Sequence, residues 1–229
     1  MNSGTLYGIG VGPGDPELLT LRAVRLIESC PVLAYPANPT GQSQARAIAA
    51  RWLGRQREIA IRMPFQRDRG PANAAYDRAA AEIAECLAAG LDVAVLCEGD
   101  PLLFGSFGYL LERLHGRFPC QVVPGVSSVL AAAAASLTPL ALLEQSLCIL
   151  PASAGEEALR RALAEHDSVA ILKPGRAREQ VLRLLRESGR LGDAVYLESV
   201  SRDGQRIVHD LATLQGPGPY FALILVTRR

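Results

Sequence analysis

Gly8-Ile9-Gly10-Val11-Gly12-Pro13-Gly14-Asp15-Pro16-Glu17-Leu18-Leu19-Thr20 overlaps the apolar run Leu6–Val11 and opens a helical pattern. Glycine permits tight turning and close approach of a ligand to the backbone. Asp15 can cap the helix, and Pro16 suits its first turn, where no N–H is needed. The stretch reads as strand, turn, helix. Its register excludes two common nucleotide loops. No G-x-G-x-x-G fits, because Pro13 or Asp15 stands where the third glycine belongs, and the next strand ends in Ala34-Tyr35-Pro36 without a ribose-binding acid. A Walker A loop is excluded because the one lysine of the chain, Lys173, precedes a proline. On its residues alone the stretch is either a ligand loop or a plain strand-to-helix turn.

The same grammar recurs twice. Cys97-Glu98-Gly99-Asp100-Pro101-Leu102-Leu103-Phe104-Gly105-Ser106-Phe107 again follows a strand, and Val122-Val123-Pro124-Gly125-Val126-Ser127-Ser128 is a strand, turn and helix start. In an open parallel sheet, ligands bind outside the carboxyl ends of the strands, so such loops point to one mouth. Glu98 and Asp100 would put negative charge there, which suits a cationic group such as a sulfonium or an ammonium. Ordinary helix capping explains the same residues, Ser127 and Ser128 included.

Outward from these loops, short apolar runs alternate with helical patterns, the signature of an α/β protein with largely parallel sheets. Strands are expected at Leu6–Val11, Val32–Tyr35, Ile59–Ile61, Asp92–Cys97, Gln121–Val123, Leu147–Leu150 and Val169–Leu172. Helices are expected at Pro16–Ser29, Ser43–Leu53, Asn73–Ala89, Phe104–His115, Ser127–Leu137, Glu156–Glu165 and Arg176–Ser188. Ala194–Ser199, Arg206–Asp210 and Tyr220–Thr227 are strand-like with turns and no helix between them, so the second sheet should finish antiparallel. The break Gly116-Arg117-Phe118-Pro119 marks the expected boundary between two α/β domains, residues 1–116 and 120–229.

Composition narrows the partners. The 229 residues are 49% hydrophobic and 21% charged, with a mean hydropathy of +0.15, which excludes a disordered chain. A net charge of +1 provides no global field for nucleic acid or an anionic membrane. Cys30, Cys86, Cys97, Cys120 and Cys148 lie far apart without metal-ligand spacing, and His115, His166 and His209 are equally scattered, so no protein-held metal is expected. The cysteines read as reduced thiols. The N-terminus has no basic region before its apolar run, which makes a signal peptide unexpected and a cytoplasmic location the expectation. The uncharged stretch between Arg117 and Glu144 imitates a membrane span, yet its prolines, serines and alanine-rich centre read as a buried strand, turn and helix.

The ordered set G-x-G-P-G-D-P-x-L-L-T, E-G-D-P-x-x-x-G-S-F and V-P-G-V-S-S resembles the tetrapyrrole methylase family, S-adenosylmethionine-dependent enzymes of corrin and sirohaem synthesis. Tyr35-Pro36-Ala37-Asn38, Gln42-Ser43, Gly105-Ser106-Phe107, Leu150-Pro151-Ala152, Ile171-Leu172-Lys173 and the ending Tyr220–Val226 are similar to one branch, the C20-methyltransferases acting on precorrin-2. Phe104 departs from it, standing where a tyrosine is expected. The resemblance implies two α/β domains enclosing a cleft, a homodimer, and S-adenosylmethionine held between the domains. The cofactor would touch Pro13, Glu98, Gly99, Asp100, Leu103, Ser127 and Ser128, and also Lys173 and Ala222. Gly12, Gly14 and Asp15 of the glycine loop, with Tyr35, Arg62 and Arg67, would line the tetrapyrrole trough.

Methyl transfer from a sulfonium is an in-line displacement with a neutral leaving group, so alignment and exclusion of water are the main tasks of the protein. The electron-rich meso carbon of a reduced tetrapyrrole needs no strong base before attack. Arg46, Arg62, Arg67, Arg69, Arg202 and Arg206 are candidates to pair with the substrate carboxylates. No histidine lies in a motif loop to serve as an axial cobalt ligand, which favours metal-free precorrin-2, giving precorrin-3A, over its cobalt counterpart. The rivals are another tetrapyrrole methylase and a non-catalytic S-adenosylmethionine-binding regulatory module.

Overall fold

The computed structural model describes residues 3–64 and 70–228, which form two compact units, Met1–Ser127 and Ser128–Arg229. The first is built on five parallel strands, β1 (Leu6–Gly10), β2 (Val32–Ala37), β3 (Arg57–Arg62), β4 (Val93–Cys97) and β5 (Cys120–Val123), in the order β3-β2-β4-β1-β5. Helices cover both faces, as a fully buried parallel sheet requires. On one face α3 (Gly70–Ala88) and α4 (Phe107–Leu114) pack Tyr76, Ile83, Leu87, Phe107 and Leu110 against Leu6, Val93 and Val95. On the other, α1 (Leu21–Ser29) and α2 (Gln44–Ala49) set Ala23, Ile27 and Ile48 against Ile9, Leu33, Tyr35 and Leu96. The alternation along β1 sorts its residues, Leu6 to the first layer and Ile9 to the second. Gly8 makes room for α4, since a Cβ there would lie 2.6 Å from the Phe107 ring.

The expected helix Pro16–Ser29 is two elements. Asp15 accepts the Glu17 N–H at 2.8 Å and caps a 3-10 turn at Pro16–Leu18, and Thr20 caps α1 by accepting the Ala23 N–H at 3.1 Å. Two successive capping side chains each offer the backbone an acceptor, so the chain restarts instead of running on.

The expected boundary at Gly116–Pro119 falls inside the first unit. Leu114 O accepts from both Arg117 N (3.1 Å) and Phe118 N (3.2 Å), and Gly116 takes φ +88°. The break is thus the C-terminal cap of α4, made by a glycine in the left-handed region. After it the chain enters β5, which pairs with β1 from Leu6↔Cys120 to Ile9↔Val123.

The second unit holds β6 (Leu147–Pro151), β7 (Ser168–Leu172), β8 (Ala194–Glu198), β9 (Arg206–Val208) and β10 (Ala222–Thr227), in the order β6-β7-β10-β8-β9. Only β6 and β7 run parallel. β10 is antiparallel to both β7 and β8, and β9 is antiparallel to β8, so the antiparallel finish makes up most of this sheet. One face carries α6 (Glu156–Glu165) and α7 (Arg178–Glu187) over Val169, Ile171, Tyr196 and Ile224. The alanine-rich α5 (Ser128–Ala135) lies against β10. No helix among the described residues is long and apolar enough to cross a membrane.

Candidate functional site

In the first unit the three motif loops leave the carboxyl ends of β4, β1 and β5, which are neighbours in the sheet. They meet at three glycines. A Cβ on Gly10 would lie 2.5 Å from Gly125 N and 2.7 Å from Gly99 O, and one on Gly125 would lie 2.2 Å from Gly99 O. Any side chain at this junction would force the loops apart. The first two loops are also bonded, Gly99 N–H donating to Gly12 O at 2.8 Å and Gly12 N–H to Gly99 O at 3.3 Å, with both glycines at positive φ. Beneath the junction the Cys97 thiol is buried, which pushes its pKa up to about 12 and keeps it from acting as a nucleophile.

Asp100 binds the second loop to the third. Its Oδ1 accepts the Leu102 N–H at 2.9 Å and its Oδ2 accepts the Gly125 N–H at 3.1 Å. It does not cap α4, whose N-cap is Ser106. An ionised carboxylate has about four acceptor sites, so capacity for a ligand donor remains after this bracing. Glu98, next to it, is exposed. Leu102, Leu103 and Phe104 stand exposed on the same loop, with Phe104 in the left-handed region at φ +52°. Gly105 lets that loop close, since a Cβ would sit 2.5 Å from Pro101 O. Pro13 and Ser127 are buried, and Ser128 opens α5 at the start of the second unit. The structure brings Gly12, Gly99, Asp100 and Gly125 together. Gly14 and Asp15 follow in the turn before α1, where the Asp15 carboxylate serves as a cap.

Tyr35 is placed elsewhere. Its side chain is buried in the layer under α2, and its hydroxyl donates to Glu58 Oε2 at 2.5 Å. Arg46 grips the same carboxylate at both oxygens, 2.6 and 2.8 Å. The Arg46 guanidinium holds Glu58 below the usual carboxylate range, while burial and then the Glu58 bond raise the Tyr35 phenol. Two of the candidate tetrapyrrole contacts, Tyr35 and Arg46, are therefore bonded to Glu58, an exposed acid on the edge strand β3 and a partner that no local spacing in the sequence announces. Arg62 is exposed at the carboxyl end of β3, and Arg67 and Arg69 lie outside the described residues.

In the second unit, Lys173 and Ala222 meet at one rim of the sheet, where β7 and β8 end and β10 begins. Lys173 N–H donates to Ala222 O at 3.0 Å, and Ser199 N–H donates to Phe221 O at 2.8 Å. Lys173, Ser199 and Ser201 all adopt positive φ, of 55°, 49° and 58°. Lys173 Nζ lies 5.8 Å from the centre of the Tyr220 ring, and the Arg202 guanidinium 4.0 Å from that of Phe221. The two rings are in edge-to-face contact at 5.2 Å.

Arg178 supports this rim from below. The side chain is buried and donates to the carbonyls of Gln215, Gly216 (2.9 Å) and Pro217 (3.0 Å), and to the Tyr196 hydroxyl (3.2 Å). Tyr196 in turn donates to Glu198 at 2.8 Å, and Arg178 lies 3.6 Å from the same carboxylate. Local spacing gives Arg178 no role, and Tyr220 and Phe221 enter the sequence analysis only within a strand and the ending Tyr220–Val226. Adjacent aromatics after Gly216-Pro217-Gly218 were the available signal, and they read there as the start of a strand.

The family model for tetrapyrrole (corrin/porphyrin) methylases matches residues 5–215. The precorrin-2 C(20)-methyltransferase of a Sinorhizobium species is 36% identical over 232 residues, covering 97% of this chain and 95% of that protein. The cobalt-precorrin-2 C(20)-methyltransferase of Salmonella typhimurium is 32% identical, covering 99% and 98%. The chain spans 46% of the length of the cobalamin biosynthesis protein CobIJ of Mycobacterium tuberculosis, to which it is 41% identical over 97% of its own length. Among solved structures, uroporphyrin-III C-methyl transferase from Thermus thermophilus, complexed with S-adenyl homocysteine, superposes with a TM-score of 0.71 at 26% identity, covering 98% of this chain and 97% of that one. These matches run through both units and all three glycine loops, and the chain belongs to the tetrapyrrole (corrin/porphyrin) methylase family.

Proposed function

We propose that this chain transfers a methyl group from S-adenosylmethionine to C20 of precorrin-2, giving precorrin-3A in cobalamin biosynthesis. The observation that carries this reading is the meeting of Gly10, Gly99 and Gly125 at one mouth, within a chain 36% identical along its length to a precorrin-2 C(20)-methyltransferase. The residues fit the cofactor. A junction without Cβ atoms lets the three loops close on one another at one end of the sheet, Leu102, Leu103 and Phe104 provide apolar cover, and Glu98 and Asp100 supply negative charge toward a sulfonium.

When bound, S-adenosylmethionine supplies an electrophilic methyl on a positively charged sulfur. The contribution of the chain is positional. Asp100 holds the second and third loops in one geometry, the glycine contacts fix the first against both, and the apolar Leu102–Phe104 segment excludes water. In this reading Pro13, Glu98, Gly99, Asp100, Leu103, Ser127, Ser128, Lys173 and Ala222 contact the cofactor, and Gly12, Gly14, Asp15 and Arg62 border the tetrapyrrole. Arg67 belongs to the same reading but lies outside the described residues.

The enzyme works in the cytoplasm as a homodimer in this account. Leu130, Leu137, Leu142, Leu143 and Leu147 are exposed on the second unit, and Leu137 and Leu143 are held outward at positive φ. Burial of such exposed leucines between two copies is what supports the dimer reading. The Salmonella relative supports a second substrate reading, the cobalt-loaded counterpart of precorrin-2. Incubation with S-adenosylmethionine and anaerobically prepared precorrin-2 should give a product heavier by one methyl group, and side-by-side kinetics on the two substrates separate the readings. A preference of about tenfold in kcat/KM for the cobalt form, about 1.4 kcal/mol in the transition state, would select the second.

A further inference from the structure

We infer that Arg178 is a positioning residue for the cofactor, holding in one geometry the two chain segments that carry Lys173 and Ala222, a role that rests on the methyltransferase reading above. The guanidinium is buried, and each of its three nitrogens is engaged. Nε donates to Gly216 O at 2.9 Å, Nη2 to Gln215 O and to Pro217 O (3.0 Å), and Nη1 to the Tyr196 hydroxyl at 3.2 Å. The planar fork thus gathers three successive carbonyls of Gln215-Gly216-Pro217-Gly218-Pro219, a segment that forms neither strand nor helix. Its two prolines lack the N–H groups a ladder would use, so these carbonyls need a donor from elsewhere.

The helix does not account for this residue. Arg178 opens α7, where a cation opposes the positive end of the helix dipole, and a buried charge carries a large desolvation penalty. An apolar side chain of similar volume would avoid both penalties. What Arg178 adds is a joint. Its own helix follows Lys173 through the short turn at Gly175–Ala177, and the clamped segment runs directly into Tyr220, Phe221 and Ala222. The two segments touch, Gly218 N–H donating to Gly175 O at 2.9 Å and Lys173 N–H to Ala222 O at 3.0 Å. Their fit is close. A Cβ on Gly218 would lie 2.6 Å from the Tyr196 hydroxyl and 3.1 Å from Arg178 Nη1, and one on Gly175 would lie 3.2 Å from Pro219 O. The sheet fixes the guanidinium in turn: Tyr196, fully buried on β8, donates to Glu198 at 2.8 Å, and the same carboxylate lies 3.6 Å from Arg178.

Arg190 is the matched comparison within the unit. It is equally buried and also donates to three carbonyls, of Leu163 (3.1 Å), His166 (2.8 Å) and Asp167 (2.6 Å). Those carbonyls precede β7, whereas Lys173 follows its carboxyl end. The two arginines share their chemistry and differ in which end of the strand they serve.

The test compares wild-type protein with Arg178→Lys, Arg190→Lys and Tyr196→Phe. Lysine keeps the charge and loses the fork. Binding of S-adenosylhomocysteine is followed by calorimetry, KM for S-adenosylmethionine and kcat on precorrin-2 by turnover, and folding by urea unfolding. Both lysine variants are expected to lower the urea midpoint comparably. Only Arg178→Lys should weaken S-adenosylhomocysteine about tenfold or more and raise KM for S-adenosylmethionine in step, with kcat within about twofold. Tyr196→Phe, which removes a single bond to the guanidinium, should weaken the same ligand about threefold.

A folded Arg178→Lys protein that binds S-adenosylhomocysteine as tightly as wild type overturns the inference, and so does an equal loss of affinity in Arg190→Lys. If Arg178→Lys does not fold, Tyr196→Phe decides, and unchanged affinity there overturns it. In each of these cases the wild type still binds the ligand and the methyltransferase reading stands. If the wild type does not bind S-adenosylhomocysteine, both proposals fall.

Discussion

The two units solve the same problem, holding loops at the end of a sheet in an open geometry, by opposite means. The first uses glycine: Gly10, Gly99 and Gly125 touch backbone to backbone where no side chain fits, and Gly12 and Gly99 take positive φ at little steric cost. The second uses strained ordinary residues, with Lys173, Ser199 and Ser201 in the left-handed region, Lys173 and Ser199 bonded to Ala222 and Phe221 at the start of β10, and Ser201 bonded to Gln205. Glycine removes side chains and lets the loops pack backbone to backbone. Strained residues keep side chains and present them. A backbone cradle and a side-chain platform are the two surfaces that result.

The comparison breaks most easily at the glycine junction. Gly125→Ala places a Cβ 2.2 Å from Gly99 O, a backbone atom with no room to retreat. It is expected to cost about 3 kcal/mol in urea unfolding and to abolish S-adenosylhomocysteine binding. A stable, binding-competent Gly125→Ala protein would show that the loops are less tightly joined than described.

Asp100→Ala comes next. Loss of the acceptor for Leu102 N–H and Gly125 N–H should cost about 1–2 kcal/mol and leave the protein folded. Affinity for S-adenosylhomocysteine should fall about tenfold or more. Unchanged affinity in the folded variant would remove Asp100 from the site and leave it a loop brace.

At the rim the expected sign reverses. Ser201→Gly relieves a left-handed residue worth about 1–2 kcal/mol of strain against about 0.5–1 kcal/mol of added chain entropy. The net is a small stabilisation, about 0.5 kcal/mol, seen as a higher urea midpoint. Destabilisation would mean that the rim is not strained and would end the contrast between the units.

The smallest effect concerns charge on the second unit. Glu156 bonds Arg183 and Arg160 on the outer faces of α6 and α7, and these arginines hold its carboxyl down to about 2. Its folded pKa lies below the unfolded value, so its contribution is present above the unfolded carboxylate pKa and is lost as pH falls toward 2. The difference in Tm between wild type and Glu156→Gln should accordingly shrink between about pH 5 and pH 2. A difference that stays constant across that range would contradict the ion network. Because Glu156, Arg160 and Arg183 are all substantially solvent-exposed, the effect at neutral pH is small.

Much of the first unit was legible in the sequence because its chemistry is local. Asp15, Pro16 and Thr20 do their work within a few residues, and the repeated strand, turn and helix grammar located the three loops, although Gly10 and Gly12 act on Gly99 and Gly125 far along the chain. What escaped was set by partners distant along the chain. The Tyr35 hydroxyl is claimed by Glu58 and by Arg46 through it, the Asp100 carboxylate spans 25 residues to Gly125, and Arg178 reaches across to residues 215–217. The break at Gly116–Pro119 was visible as a break, but a helix cap and a domain linker use the same residues, and only the pairing of β5 with β1 separates them. The strain at Lys173, Ser199 and Ser201 leaves no mark on composition or periodicity.

The central claim is that this chain moves a methyl group from S-adenosylmethionine to one carbon of a reduced tetrapyrrole. Purified protein, methyl-labelled carbon-13 S-adenosylmethionine and anaerobic precorrin-2, followed by carbon NMR, test donor and acceptor position together. The account predicts a single new labelled methyl resonance on C20, with S-adenosylhomocysteine formed in equal amount. A label that stays on the cofactor, or that appears at another ring position, would contradict it.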